Sequence, residues 1–223
     1  MNWWKKLLER KDYLLDQVAE ISLSEGDQDQ YYELKKTGLE KQLGPMHDKF
    51  DHAIIPFVLG GAVDVYCFPK AKGGVAFATM ELIHPDGSGP VPNGMGTYEL
   101  VAFTNHKPKA NQTEDSAFLA MERKLGGLLT IIAQHAFLSA LEPGETAEIP
   151  NEDGNSHYLI FDKYQPKRRP FRIGNQEHGL LLIMEVHKSE LIYARRYGTH
   201  KLIEKLKQAK VYPSSDIERK PVV

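Results

Sequence analysis

The 223-residue sequence predicts an α+β domain. Three observations carry that expectation. Three short runs rich in Val, Tyr, Phe, Ala and Thr follow one another at residues 62–69, 75–83 and 97–105, as consecutive sheet strands do. A long stretch beyond them has helical periodicity: Phe118, Met121, Leu125, Leu128, Leu129, Ile132 and Ala136 recur at three- and four-residue steps as one wide apolar stripe. Later, residues 178–187 (HGLLLIMEVH) are almost continuously apolar, which suits a central strand covered on both faces.

The three runs read as a meander. In the first, Val63, Val65 and Cys67 alternate with Asp64, Tyr66 and Phe68. A polar turn, residues 70–74, joins it to the second run. A long Gly/Pro loop, residues 84–96, separates the second from the third. On the helix that follows, Thr113 is the expected N-cap, with Glu114 and Asp115 at the positive end of the dipole. Gly126 and Gly127 fall inside this helix at a cost of about 2 kcal/mol relative to two alanines. Either close packing on the sheet or a break into two helices is expected there.

The flanking segments follow. Residues 3–21 have the pattern of a loosely amphipathic helix, expected to carry Trp3 and Trp4. Residues 22–29 read as a loop, and a second helix runs from about Gln30 to Leu43, stopped by Gly44 and Pro45. The expected division is an N-terminal helical extension over residues 1–30 and a single domain over 31–223. Pro143 and Gly144 turn into an edge strand, and residues 157–161 (HYLIF) form another strand. Residues 165–172, basic and proline-containing, are expected to be exposed. Ser189 and Thr199 are expected to cap two short helices, the second with an apolar side of Leu202, Ile203 and Leu206.

Composition narrows the functional classes. There are 28 Lys and Arg against 30 Asp and Glu, a net charge of −2, so no overall field draws the chain to nucleic acid or an anionic membrane. The single cysteine, Cys67, excludes an internal disulfide and a Cys-based zinc site; within a strand it reads as a buried structural thiol. The amino terminus lacks the apolar core of a signal peptide and no stretch is long enough to span a bilayer, so a reducing cytoplasmic setting is expected.

Candidate chemistry is sparse. His47, Asp48, Asp51 and His52 place a His and an Asp four residues apart twice over, a spacing that brings metal ligands together on a helix and equally makes surface pairs. Glu185 and His187 share a strand face, as a general-base pair would, although Glu190 on the next helix is placed to bond His187. These two groups define the alternative reading, a small metal-dependent or His/Glu-based hydrolase. A purely structural subunit using the Trp3 and Trp4 helix as an oligomer contact is a third. The turn around Asp86 and Gly87 is followed by a strand rather than a helix N-terminus, so it makes no phosphate cradle. Lys167, Arg168 and Arg169 are the one dense basic cluster and read as a solvated loop. No serine-nucleophile elbow and no cofactor fingerprint is present.

Several segments in order resemble the suppressor of fused (SUFU) domain family: Leu43, Gly44 and Pro45; Val63, Asp64, Val65 and Tyr66, then Pro69; Tyr98, Glu99, Leu100 and Val101; Pro170, Phe171, Arg172 and Ile173; Glu185, Val186 and His187, then Ser189, Glu190 and Leu191; Tyr193, Ala194 and Gly198; and Val211, Tyr212 and Pro213 with Asp216 and Arg219 to Val222. The resemblance runs from about Leu39 to the carboxyl terminus. Many members carry a Gly-Met-Ser-Asp-like segment where this chain has Met80, Glu81, Leu82 and Ile83, which leaves that segment's role without a counterpart. The resemblance implies a mixed β-sheet flanked by helices and a non-enzymatic protein-binding module with no cofactor. Animal members sequester Gli-type transcription factors, whereas stand-alone domains of this length resemble a bacterial branch, some of which are proposed to be immunity proteins that neutralise toxins. The contact residues expected from loop position are Asp86, Asn93 and Met95, with Glu81 and His84 beside them.

Overall fold

A computed structural model describes residues 25–47, 57, 60–109, 116–151, 154–166 and 169–223. Among these, four helices and seven strands form an α+β fold. The chain order is α1 (Glu25–Leu43), β1 (Val65–Phe68), β2 (Val75–Thr79), β3 (Tyr98–Thr104), α2 (Ala117–Ala136), β4 (Thr146–Pro150), β5 (Ser156–Lys163), β6 (Phe171–Ile173), β7 (Gln176–Val186), α3 (Lys188–Tyr197) and α4 (Thr199–Gln208).

The sheet order is β1-β2-β3-β7-β5-β4, with β6 pairing β7 off this path. The expected meander is the first half: β1 pairs β2 and β2 pairs β3, both antiparallel. β7 then runs parallel to β3, with Tyr98 opposite Gly179, and this one parallel pair makes the sheet mixed. Side-chain alternation sorts the strands onto two cores. Tyr66, Phe68, Val101, Phe103, Leu180, Leu182 and Met184 face α1, α3 and α4. Cys67, Phe77, Leu100, Ala102, Leu181 and Ile183 face α2. Helices therefore cover both faces, which is why β7 has no polar side.

Several local expectations change. α1 begins at Glu25, so part of the expected 22–29 loop is helical, and it continues through residue 30 without interruption. The second strand ends at Thr79, four residues early, because residues 80–83 turn to wrap a buried carboxylate. α2 is capped by Ser116, whose hydroxyl accepts from Leu119 N, rather than by Thr113. It passes through Gly126 and Gly127 unbroken, and a Cβ at Gly126 would only touch Val65 at 3.9 Å. Phe171 to Ile173, expected to lie exposed in part, form β6 with Phe171 and Ile173 buried. α3 is capped by His187 and α4 by Gly198, one or two residues before the expected caps. Trp3 and Trp4, Thr113, Glu114 and Asp115 lie outside the described residues.

One buried ion pair locks α1 to the sheet. Glu99 occupies a core position on β3 and is 0% exposed; Lys35 on α1 is 2% exposed. Lys35 Nζ lies 2.9 Å from Glu99 Oε1 and donates its other two protons to the carbonyls of Met80 and Ile83, each at 2.6 Å. The carboxylate also accepts from Thr79 Oγ1 at 2.6 Å, Leu82 N at 3.3 Å and Ile83 N at 3.1 Å. All three ammonium donors are thus used, the condition for a buried charge to be tolerated. Tyr31 covers the ammonium from 5.0 Å and donates its hydroxyl to Ile83 O and His84 O. Further along α1, Gly38 allows close approach to β6: a Cβ there would collide with the Arg172 carbonyl oxygen.

Removing one partner strands the other in a dry site. Lys35→Met is therefore expected to cost about 3–5 kcal/mol in urea unfolding, against under about 1 kcal/mol if the pair were a surface-like contact.

Candidate protein-binding surface

The sheet has two edges of unequal openness. β1 is partly covered, since Cys67 O accepts from His47 N at 2.8 Å. β4 pairs only with β5 among the described residues. Glu145 O accepts from Phe161 N, and the alternation of an antiparallel pair then turns the backbone groups of Thr146 and Glu148 away from β5. Glu148 and Pro150 are residues that discourage indiscriminate pairing at an edge. On one face of β4, Ala147 and Ile149 pack towards α2. On the other, Arg195 of α3 reaches Thr146 Oγ1 at 3.3 Å and Glu148 Oε2 at 3.5 Å.

A cavity of about 590 Å³ opens where β4 begins. Its walls come from the end of α2 (Ile132, His135), the connection through Leu141 and Glu145, the start of β4, and the α3–α4 corner at Ala194, Arg195 and Thr199. Thr199 Oγ1 donates to Gly144 O at 2.6 Å, fixing that corner to the turn before β4. A cavity of mixed lining, with Ile132, Leu141 and Phe161 beside His135, Glu145 and Arg195, next to unpaired strand backbone is suited to an extended peptide.

The loop of residues 84–97 adjoins this cavity. Val91 N donates to Ala136 O at the end of α2. Asn93, 9% exposed, donates from Nδ2 to Leu141 O at 2.7 Å, and its Oδ1 accepts from Met95 N at 2.8 Å. Its side chain thus holds the cavity-lining residue Leu141 in place. Gly94 N donates to Glu142 Oε2, and Glu142 N to Glu145 Oε2. Met95 is half-buried against Gly179, where a Cβ would come within 2.8 Å of it.

The other expected contact residues sit at the opposite end of the same loop. Asp86 is exposed at the tip and accepts from Ser88 N at 2.8 Å; hydrogen bonds from Ser88 hold its carboxyl below the usual range. Glu81 is half-buried and accepts from Asp64 N at 2.9 Å, while burial pushes its pKa up. His84 leans edge-on to Phe137 at 6.4 Å, and burial, helped by the nearby Lys35 charge, pushes its pKa down. The fold thus places Glu81 and His84 beside the Lys35–Glu99 pair, and Asn93 and Met95 beside the cavity.

The acid–base groups read from the sequence are not brought together as a reactive site. Glu185 and His187 do not pair. The Glu185 carboxylate, 3% exposed, lies 2.6 Å from His157 Nδ1 and 2.5 Å from Lys124 Nζ, and its backbone N–H donates to Ser215 Oγ. His187 Nε2 meets Arg219 O at 2.8 Å. Glu190 accepts from His187 N, as its position suggests, and also from Arg219 and Val222 N. Of the His/Asp group at 47–52, only His47 is described, and no cluster of three His, Cys, Asp or Glu side chains exists among the described residues. Arg169 is exposed and its carbonyl accepts from Gln42; Lys167 and Arg168 lie outside the described residues. Cys67 is buried, and burial, with the Glu122 charge, pushes its thiol up to about 12, as a structural role requires.

Sequence reasoning missed Ile132, Ala147 and Arg195 as neighbours of a cavity, because they come from three different elements, α2, β4 and α3, that only the fold brings around one space. The Pro143 and Gly144 turn did mark the edge strand.

No family model matches the chain, and no curated protein does. Solved structures do. A chain in the crystal structure of the Sufu–Fu complex is similar with a TM-score of 0.53 at 15% identity, over 86% of this chain and 90% of that one. The crystal structure of Drosophila Suppressor of Fused gives a TM-score of 0.49 at 15% identity, over 76% of this chain and 46% of that one. The fold class is therefore an α+β, suppressor-of-fused-like domain, as the segment resemblance implies.

The Glu190 anchor has a defined pH dependence. Burial opposes its charge, but hydrogen bonds from Arg219, His187 N and Val222 N, with the Arg219 charge, outweigh it and hold the pKa below the usual value. A depressed carboxyl pKa stabilises the fold above the unfolded value and ceases to do so as pH falls through the folded one. The stability gap between wild type and Glu190→Gln is expected to be on the order of 3 kcal/mol at pH 7. It should close as thermal melts are taken below about pH 4.3, the ordinary glutamate value.

Proposed function

We propose that this chain is a non-enzymatic protein-binding domain of the suppressor-of-fused type that takes an extended segment of its partner along β4. The observation that carries the reading is the open β4 backbone beside the 590 Å³ cavity. The resemblance of the ordered segments to a family of binding modules supports it. So does the use of the buried carboxylates Glu99, Glu185 and Glu190 in internal contacts rather than in a shared cleft. The loop of residues 84–97 supplies flanking contacts: Asn93 shapes the cavity wall with Met95 next to it, while Asp86, with Glu81 and His84 supporting the loop, is a second contact at the loop's far end.

The finer reading is that of the bacterial stand-alone branch: an immunity protein that neutralises a toxin in the cytoplasm, built as one domain over residues 31–223 with an N-terminal extension. The branch resemblance of the ordered segments supports it. No helix among the described residues is long and apolar enough to cross a membrane.

The edge reading is tested with Thr146→Pro, which deletes an outward N–H at the first position of an edge strand, where proline is tolerated. Retention of a partner from native lysate is expected to fall at least tenfold with the melting temperature little changed; equal retention would remove β4 as the contact. A toxin-like gene beside this one, whose growth arrest co-expression relieves, would support the immunity role. Its absence would leave protein binding without a toxin.

A further inference from the structure

The two C-terminal helices carry a second surface that the edge-strand reading does not use. From residue 188 to 210 the sequence holds seven Lys or Arg and two Glu. Glu190 is buried against Arg219, so Glu204 is the one exposed carboxylate of the stretch. Spaced along the sequence, these cations look scattered; the α3–α4 corner gathers several of them. Lys205 Nζ of α4 lies 5.6 Å over the ring of Tyr193 on α3. Tyr193 and Tyr197 are in contact, with ring centroids 4.7 Å apart. Arg196 Cζ lies 5.2 Å over Tyr197. Lys205, Tyr193, Tyr197 and Arg196 thus form one continuous row across both helices. Lys201 precedes Lys205 by one helical turn, and Ile192, 56% exposed, precedes Arg196 by one turn. Arg195 is engaged with Glu148, but no carboxylate among the described residues is in ion-pair range of Arg196, Lys201 or Lys205.

We propose that this row is a docking surface for an acidic protein segment that carries an apolar residue between its carboxylates. A cation held over a ring is already positioned and partly desolvated, while its remaining N–H groups face outward. Arg196 offers a planar fork to a carboxylate, and Lys201 and Lys205 offer point charges beside it. The tyrosine pair is stiff and amphipathic, so little freedom is lost when it is covered. Ile192 and Tyr197, the latter 44% exposed, supply the apolar contact. A nucleic acid is the weaker match: each ring already has a cation over it and the other ring beside it, which leaves poor room for a stacked base. A bilayer is weaker still, since two exposed apolar side chains are too few for interfacial insertion.

The test is fluorescence anisotropy with a labelled twelve-residue Glu-rich peptide containing one central Leu, in about 50 mM salt. Binding should be saturable and should weaken as salt rises. Arg196→Gln with Lys205→Gln should weaken it at least tenfold, and Tyr197→Ala several-fold. Lys107→Gln with Lys109→Gln, an equal change in charge at exposed sites elsewhere, should leave it within twofold. Thr146→Pro should bind the peptide as wild type does, so failure here and failure at the β4 edge are separate results. Equal melting temperatures across the variants secure the comparison. The proposal is overturned by no binding at low salt or by equal losses in the two lysine-containing double variants. Tighter capture by phosphatidylserine vesicles or by single-stranded DNA of matching charge would overturn it as well.

Discussion

The ion pair between Lys35 and Glu99 is the constraint on which the arrangement of this domain depends. A carboxylate with no solvent exposure is tolerable only when its lone pairs are filled, and here one ammonium, one hydroxyl and two backbone N–H groups fill them. The same ammonium takes the carbonyls of Met80 and Ile83. The pair therefore fixes three things at once: the seat of α1, the premature end of β2, and the path of the chain into the long loop. Apolar packing alone would hold α1 against the sheet without specifying where residues 80–84 must go.

The remaining buried acids do similar work at other joints. Glu190 gathers His187 N, Arg219 and Val222 N, so the last residues of the chain are tied to the start of α3. Glu185 engages Lys124 from α2 and His157 from β5, across the face that α2 covers. Thr104 and Asn105 at the end of β3 are held by Asp216, beside the point where Ser215 N donates to Phe103 O. Carboxylates committed in this way make a rigid body. Among the described residues, the start of β4 and the corner between α3 and α4 stay outside these contacts, and they are the two surfaces proposed above for a partner.

Much of this architecture is legible in the sequence, and the rest is hidden for identifiable reasons. α2 is readable because its apolar residues keep a helical period over a long run, and β1 to β3 and β7 because β-forming or apolar residues are dense between turn residues. β6 is three residues long and follows Pro170, too short for a period to show. The first turn of α1 is Glu, Gly, Asp and Gln, a composition that reads as a loop, and only tertiary packing further along holds it in helix. Glu99 lies inside an otherwise apolar strand and was not singled out, and nothing local names its partner 64 positions earlier. Glu185 and His187 show the converse error: a shared strand face suggests a pair, whereas their actual partners come from α2, β5 and the C-terminal tail. For the candidate site, the turn and the edge strand could be read, but the cavity could not, because it exists only where residues 132–147, Phe161 and the α3–α4 corner meet.

Amide hydrogen exchange at Leu82 and Ile83, followed by NMR on the native protein, tests the central claim most directly. Both amides lie in a turn with no sheet partner, and both donate to Glu99. If the buried pair organises this region, they exchange as slowly as the amides of β7, through openings that approach global unfolding. Exchange at the rate of the exposed turn around Asp86 would contradict the account, because the carboxylate would then not be holding the loop.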